Sequence, residues 1–174
     1  MDLKPQELLV LLKVSAHPTR KFTFAALAEE LAMSAAEVHA SVKRAKGAGL
    51  VNERGRGDWA PIRPALQEFL VHGVRYAFPA EMGPVKRGIP TAHAAPVLAG
   101  RLLSAGEHMH VWEDAHGSVL GQRVEPLHKG VPHAVRRDAT LYAMLALVDA
   151  VRLGQERESA VAGKLLAEYL REPT

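Results

Sequence analysis

Two short groups of cations carry most of the chemistry this sequence offers. Lys43 and Arg44 lie within MSAAEVHASVKRAKGAGLV (33–51), and Arg54 and Arg56 lie within ERGRG (53–57). Side chains of this type donate to phosphate oxygens and to guanine O6 and N7, so a nucleic acid is their natural counterpart. Small residues, Ala36 and Ala40, precede the first pair, with Glu37 and His39 among them. Short side chains permit close backbone approach and can touch thymine methyl groups.

Other reactive constellations are missing from the sequence. Cysteine is absent, which excludes disulfides, thiolate metal sites and cysteine nucleophiles and makes a reducing cytoplasm the expected location. There is no G-x-S-x-G, P-loop or H-E-x-x-H motif. Glu113 and Asp114 are adjacent, so a strand would point them to opposite faces; an enzyme is not expected. Five of the nine histidines, His108, His110, His116, His128 and His133, fall within residues 108–133. His108 and His110 would share one face of a strand, which permits a divalent cation. Their spacing matches no zinc signature, so surface histidines are expected, with no metal and no cofactor assigned. A small-molecule pocket around Tyr76, Phe78 and His93 is a further option that the sequence supplies no chemistry to test.

Charge is distributed unevenly. Residues 1–80 hold 11 Lys+Arg against 8 Asp+Glu, a net of +3, whereas residues 81–174 hold 11 against 11, a net of zero. The whole excess therefore sits in the first half, where a polyanion would be met. No secretion signal is read in the leucine-rich start, which Lys13 interrupts. The longest apolar run, Leu141–Val148, is far short of the roughly 20 residues that span a bilayer, so no membrane partner is expected.

The elements that must position these residues follow from periodicity and caps. A first helix is expected over Pro5–Ser15, ending near His17-Pro18, with Leu8, Leu9, Leu11 and Leu12 as its stripe. Thr23 reads as the N-cap of Phe24–Ala32, and Ser34 with Glu37 as a capping box that starts the next helix. Gly47 and Gly49 stop it. Two short strands, Leu50–Asn52 and Asp58–Ile62, would flank the ERGRG turn. A helix over Pro64–Phe78 is weakened by Gly73, and residues 79–107 are rich in proline and glycine, which marks a connecting region with a short helix near Ala95–Ser104. Met109–Glu113 and Val119–Leu127 read as a hairpin with Trp112 as a core anchor. Asp138 would cap a helix to Leu153, Gly154 would end it, and a last helix would cover Glu156–Leu170. Leu147, Leu153 and Leu166 lie off the main stripes. They leave two outlets open: a subunit interface, or packing within the chain. Asp149, Arg152, Arg157 and Glu158 surround the break at Gly154, readable as a buried network across two subunits, a partner-binding patch or a solvated turn.

On a wheel of 100° per residue with Val38 at zero, Val42 falls at about 40°, Ala45 at about 340° and Ser41 at about 300°. Those positions face inward. Ala36, Ala40, Lys43, Arg44 and Gly47 occupy the other side, with Glu37 and His39 at the flanks. A solvated amphipathic face would have the same layout, so the helix alone does not decide.

Its neighbours point further. FAALAEELAMSAAEVHASVKRAKGAGLV resembles the winged helix-turn-helix of bacterial transcriptional regulators, the MarR and related families. The marks are LAEEL, Ser34 as cap, the Val38 and Val42 spacing, and AGLV leading into a strand; the resemblance covers roughly residues 5–78 and not the remainder. It implies Ala35–Lys46 as the recognition helix and Arg54 and Arg56 in the wing, where cations meet phosphate or a narrow minor groove. The implied DNA-binding set is Ser34, Ala36, Glu37, His39, Ala40, Lys43, Arg44, Arg54 and Arg56. The expected fold is mainly α with small β-hairpins (α+β): a winged helix-turn-helix over 1–78, a connecting region over 79–107, and a β-hairpin with two helices over 108–174, for dimerisation or partner binding. The expected function is a sequence-specific transcriptional regulator of double-stranded DNA, a repressor acting as a homodimer on a palindromic operator. The alternative is a protein-interaction winged helix, or an antitoxin-like regulator, that binds a protein partner through its C-terminal half.

Overall fold

The computed structural model describes residues 2–101 and 109–173. The chain mixes helices with two small sheets. In order, α1 covers Gln6–Ala16, α2 Phe24–Leu31, α3 Ala35–Gly47, β1 Val51–Gly55, β2 Asp58–Pro61, α4 Arg63–His72 and α5 Val74–Ala77. Then follow β3 Met82–Thr91, two single 3-10 turns, β4 His110–Glu113, β5 Val119–Val124, α6 Val131–Arg136, α7 Ala139–Arg152 and α8 Glu156–Tyr169. No helix among the described residues is long and apolar enough to cross a membrane.

Local caps explain where the first helices start. Thr23 accepts the Ala26 N–H at 3.0 Å. Ser34 Oγ accepts the Glu37 N–H at 3.0 Å while Glu37 Oε2 accepts the Ser34 N–H at 2.8 Å, which closes the capping box. Between α2 and α3, Ala32 takes a left-handed conformation, φ 53°, that turns the chain within two residues. Gly73 splits the expected Pro64–Phe78 helix into α4 and α5.

One apolar cluster joins both ends of the chain. Leu8, Leu9, Val10, Leu11 and Leu12 are all fully buried, so α1 is covered on every side, and α7 is among its neighbours. Leu147 and Leu166 are fully buried as well, and Leu153 is partly buried against the same cluster. Their off-stripe surface is consumed inside the chain, against neighbouring helices, as a helix that is apolar all round requires.

Residues 79–101 and 109–127 differ from the sequence expectation. The proline- and glycine-rich stretch forms β3, a ten-residue strand. The β4–β5 pair is parallel, not a hairpin, with His110 opposite Gln122 and Val111 opposite Arg123. Both strands run antiparallel to β3, β4 along Gly88–Thr91 and β5 along Met82–Gly88, and the three close into a small barrel. The chain changes from one edge of β3 to the other at Gly88, which pairs with Glu113 on one side and Val119 on the other. Such a crossing needs bare backbone: a Cβ on Gly117 would lie 2.3 Å from the Gly88 carbonyl, and one on Gly88 2.0 Å from the Trp112 oxygen. The expected helix near Ala95–Ser104 is replaced by 3-10 turns at Ala92–Ala94 and Pro96–Leu98, and its last three residues lie outside the described residues.

Candidate nucleic-acid interface

Helix α3 is oriented from beneath by α1. Val38, Ser41, Val42 and Ala45 are buried, as the wheel requires. Gln6 Nε2 donates to Ser41 Oγ at 3.2 Å, and Arg44 donates through Nε to Glu7 Oε2 at 3.1 Å and through its terminal nitrogen to Oε1 at 2.9 Å. Glu7 is fully buried, so its charge has to be met inside the protein. The guanidinium of Arg44 therefore does not stand on the outward side where the wheel places it. It turns along the α1 flank to satisfy that carboxylate, which in turn raises the arginine's own pKa. Arg44 positions α3 instead of facing outward.

The outward side keeps Ala36 exposed, Ala40 half-exposed and Lys43 exposed. Ser34 and Glu37 spend their polar groups on the capping box, and the Ser34 N–H holds the Glu37 carboxyl below the usual range. His39 is exposed yet sits edge-on to Phe24, ring centroids 5.3 Å apart, and Phe24 in turn stacks on Trp59 of β2 at 6.4 Å. These rings join α3 to the β1–β2 hairpin and line a cleft of about 490 Å³ with Lys43, Lys46 and Arg56. The ion pair between Lys46 and Glu53 fixes the hairpin to the end of α3.

Arg54 and Arg56 are both exposed. Arg56 reaches both sides of the hairpin. It borders the α3 cleft and, with Arg54, a second cleft of about 500 Å³ that also holds Lys21 and Trp59. Lys21, Lys43, Arg54 and Arg56 enter no ion pair among the described residues. Three members of this surface, Lys21, Lys46 and Trp59, are absent from the sequence-derived set. Lys21 precedes the Thr23 cap and could have been found from that; the two others are placed by contacts that only the fold creates.

The second half is organised around a buried acid. Asp149 accepts from Thr91 Oγ1 at 2.8 Å, Trp112 Nε1 at 2.7 Å and Arg152 at 2.8 Å, and burial pushes its carboxyl up despite these donors. Arg152 also donates to the carbonyls of Phe78 and Glu125. The charged group around Gly154 differs from each of the expected readings: Asp149 and Arg152 form a network inside one chain, while Arg157 is exposed.

The histidines are scattered. His93 and His110 meet edge to face, Nδ1 to Nδ1 3.3 Å, beside a cavity of about 300 Å³. Tyr76 and Phe78 do not line that cavity. His116 is exposed, His128 accepts the Gly130 N–H, His133 binds the Glu29 carbonyl, and His108 lies outside the described residues. Among the described residues no group of three or more potential ligands could hold a metal ion. The chain matches no family model, no curated protein and no solved structure.

Proposed function

We propose that the chain is a sequence-specific DNA-binding transcriptional regulator, built at its N-terminal end as a winged helix-turn-helix. In this reading α3 enters the major groove and β1–β2 is the wing. One observation carries it: the outward side of α3 offers small residues, Ala36 and Ala40, then Lys43, beside a hairpin that carries Arg54 and Arg56, three cations that form no ion pair among the described residues. Four exposed cations on adjoining clefts, Lys21 included, leave a field that phosphates would neutralise. Acting as a homodimeric repressor, two copies would place their α3 helices about 34 Å apart on a palindromic operator.

Selection of bound duplexes from a randomised pool, followed by binding at several salt concentrations, tests this. Affinity should fall steeply with salt, and Lys43→Ala should reduce the slope by about 0.9. A protein that enriches no duplex and shows no salt-dependent binding would end the proposal.

A second reading rests on Val85 and Leu120, 63% and 60% exposed on the barrel. Val85 opposes Gln122 and Leu120 opposes Arg87, so both side chains stand on one face of the β3–β5 ladder. Apolar side chains so displayed suit a protein partner. Copurification of a stoichiometric second protein, lost on Leu120→Glu, would favour it.

A further inference from the structure

Helix α3 has two flanks, and different parts of the chain lie near them. With Val38 inward, His39 and Lys46 fall at about 100° and 80°, the flank taken by β1–β2, whereas Glu37 falls at about 260° on the opposite flank. Residues 128–133, far away in sequence, pack on the end of α2, next to the bend from which α3 starts. Gly130 approaches the Leu31 carbonyl so closely that a Cβ there would lie 2.0 Å from the oxygen. His133 Nε2 sits 3.1 Å from the Glu29 carbonyl, a separation at which its N–H donates. His128 Nδ1 accepts the Gly130 N–H at 2.9 Å, which fixes the turn. The segment is thus fastened to the end of α2 and to the bend that leads into α3.

Lys129 stands on this fastened turn. It is exposed, it forms no ion pair among the described residues, and its charge reaches the Glu37 carboxylate at the third position of α3. A helix seated in a major groove has a sugar–phosphate wall on either side. On one side of α3 the wall would meet Arg54 and Arg56. We infer that Lys129 is a phosphate contact for the other wall, so that the C-terminal half of the chain completes the DNA-binding surface. The inference rests on the duplex reading above. A lysine suits the task because a phosphate needs a mobile point charge and no fixed fork of donors.

The test is fluorescence anisotropy of a short mixed-sequence duplex titrated with the full chain, repeated across a salt series. Lys129→Ala should lower the salt slope by about 0.9, equivalent to roughly five-fold weaker binding near 0.15 M salt. Lys164→Ala, which removes the same charge from α8, should leave the slope unchanged. The losses from Lys129→Ala and Arg56→Ala should add, because they meet different strands. Should the unaltered chain bind duplex while Lys129→Ala keeps the full slope, Lys129 serves only to offset Glu37, and this inference fails while the DNA reading stands. No salt-dependent binding by the unaltered chain would remove both.

Discussion

Arg44 forks onto both carboxylate oxygens of Glu7, at 2.9 and 3.1 Å, thirty-seven positions away in sequence. The pair welds α3 to α1, because a fully buried carboxylate, whose other donor is the Lys4 N–H, is strongly destabilised by the loss of its cationic partner. Arg44→Ala should therefore cost about 3 kcal/mol in urea unfolding, while Lys43→Ala, on the exposed side, stays within about 0.5 kcal/mol. In a double-mutant cycle, Glu7→Gln with Arg44→Ala should cost less than the sum of the two. Additive losses would mean that the two side chains do not depend on each other.

Asp138 offers a pH-dependent test. Burial alone would raise its carboxyl, but hydrogen bonds from Lys13 Nζ at 2.7 Å, from His17 and from the Leu141 N–H together hold it below the usual range. A carboxyl whose folded pKa is depressed contributes stability in full above its ordinary range, and that contribution is lost as pH falls through the folded value. Asp138→Asn should accordingly destabilise at neutral pH, and its difference from the parent chain should shrink steadily as the solution is acidified below the ordinary carboxylate range. A difference that stays constant with pH would show that the charge is not what matters.

The crossing of β3 predicts a sharp contrast among glycines. Gly88→Ala places a methyl 2.0 Å from the Trp112 oxygen, and the barrel has to open to admit it. A loss above about 3 kcal/mol is expected in thermal unfolding. Gly47→Ala, which meets nothing within 4 Å among the described residues at the end of α3, should be neutral or stabilising by up to about 1 kcal/mol.

Ser15 Oγ is buried with no hydrogen-bond partner among the described residues, although the Ser15 carbonyl accepts from Arg63 at 2.7 Å. Ser15→Ala removes the stranded hydroxyl and keeps that carbonyl. It should raise the melting temperature, by an amount equivalent to up to about 1 kcal/mol. A lower melting temperature would mean the hydroxyl has a partner in solution.

What could be read from the sequence was whatever is encoded within one turn of helix. Thr23, Ser34 with Glu37, and Asp138 each cap the helix assigned to them, and the boundaries of α2, α3, α7 and α8 lie within a residue or two of expectation. The β1–β2 turn shortened because Glu53 to Gly55 joined the first strand through a bulge. Long-range arrangement was illegible. Pro84, Pro90, Gly83 and Gly88 mark loops by composition, and only the presence of β4 on one edge and β5 on the other makes a strand of them. Arg44 looked outward on a wheel because the wheel contains no Glu7. Asp149 reads only as one of the charges around Gly154, with its surroundings left open, because its donors, Thr91 and Trp112, are 58 and 37 positions distant.

The five consecutive buried residues of α1, Leu8 to Leu12, set a rule for dissecting the molecule. A helix sheathed on all sides has no spare face along which a fragment could be cut free. Expression of residues 1–78 by themselves would strip away α7 and bare a greasy strip along α1. Such a piece should aggregate or bind a fluorescent apolar dye, so any gene-reading activity is to be sought in the undivided polypeptide.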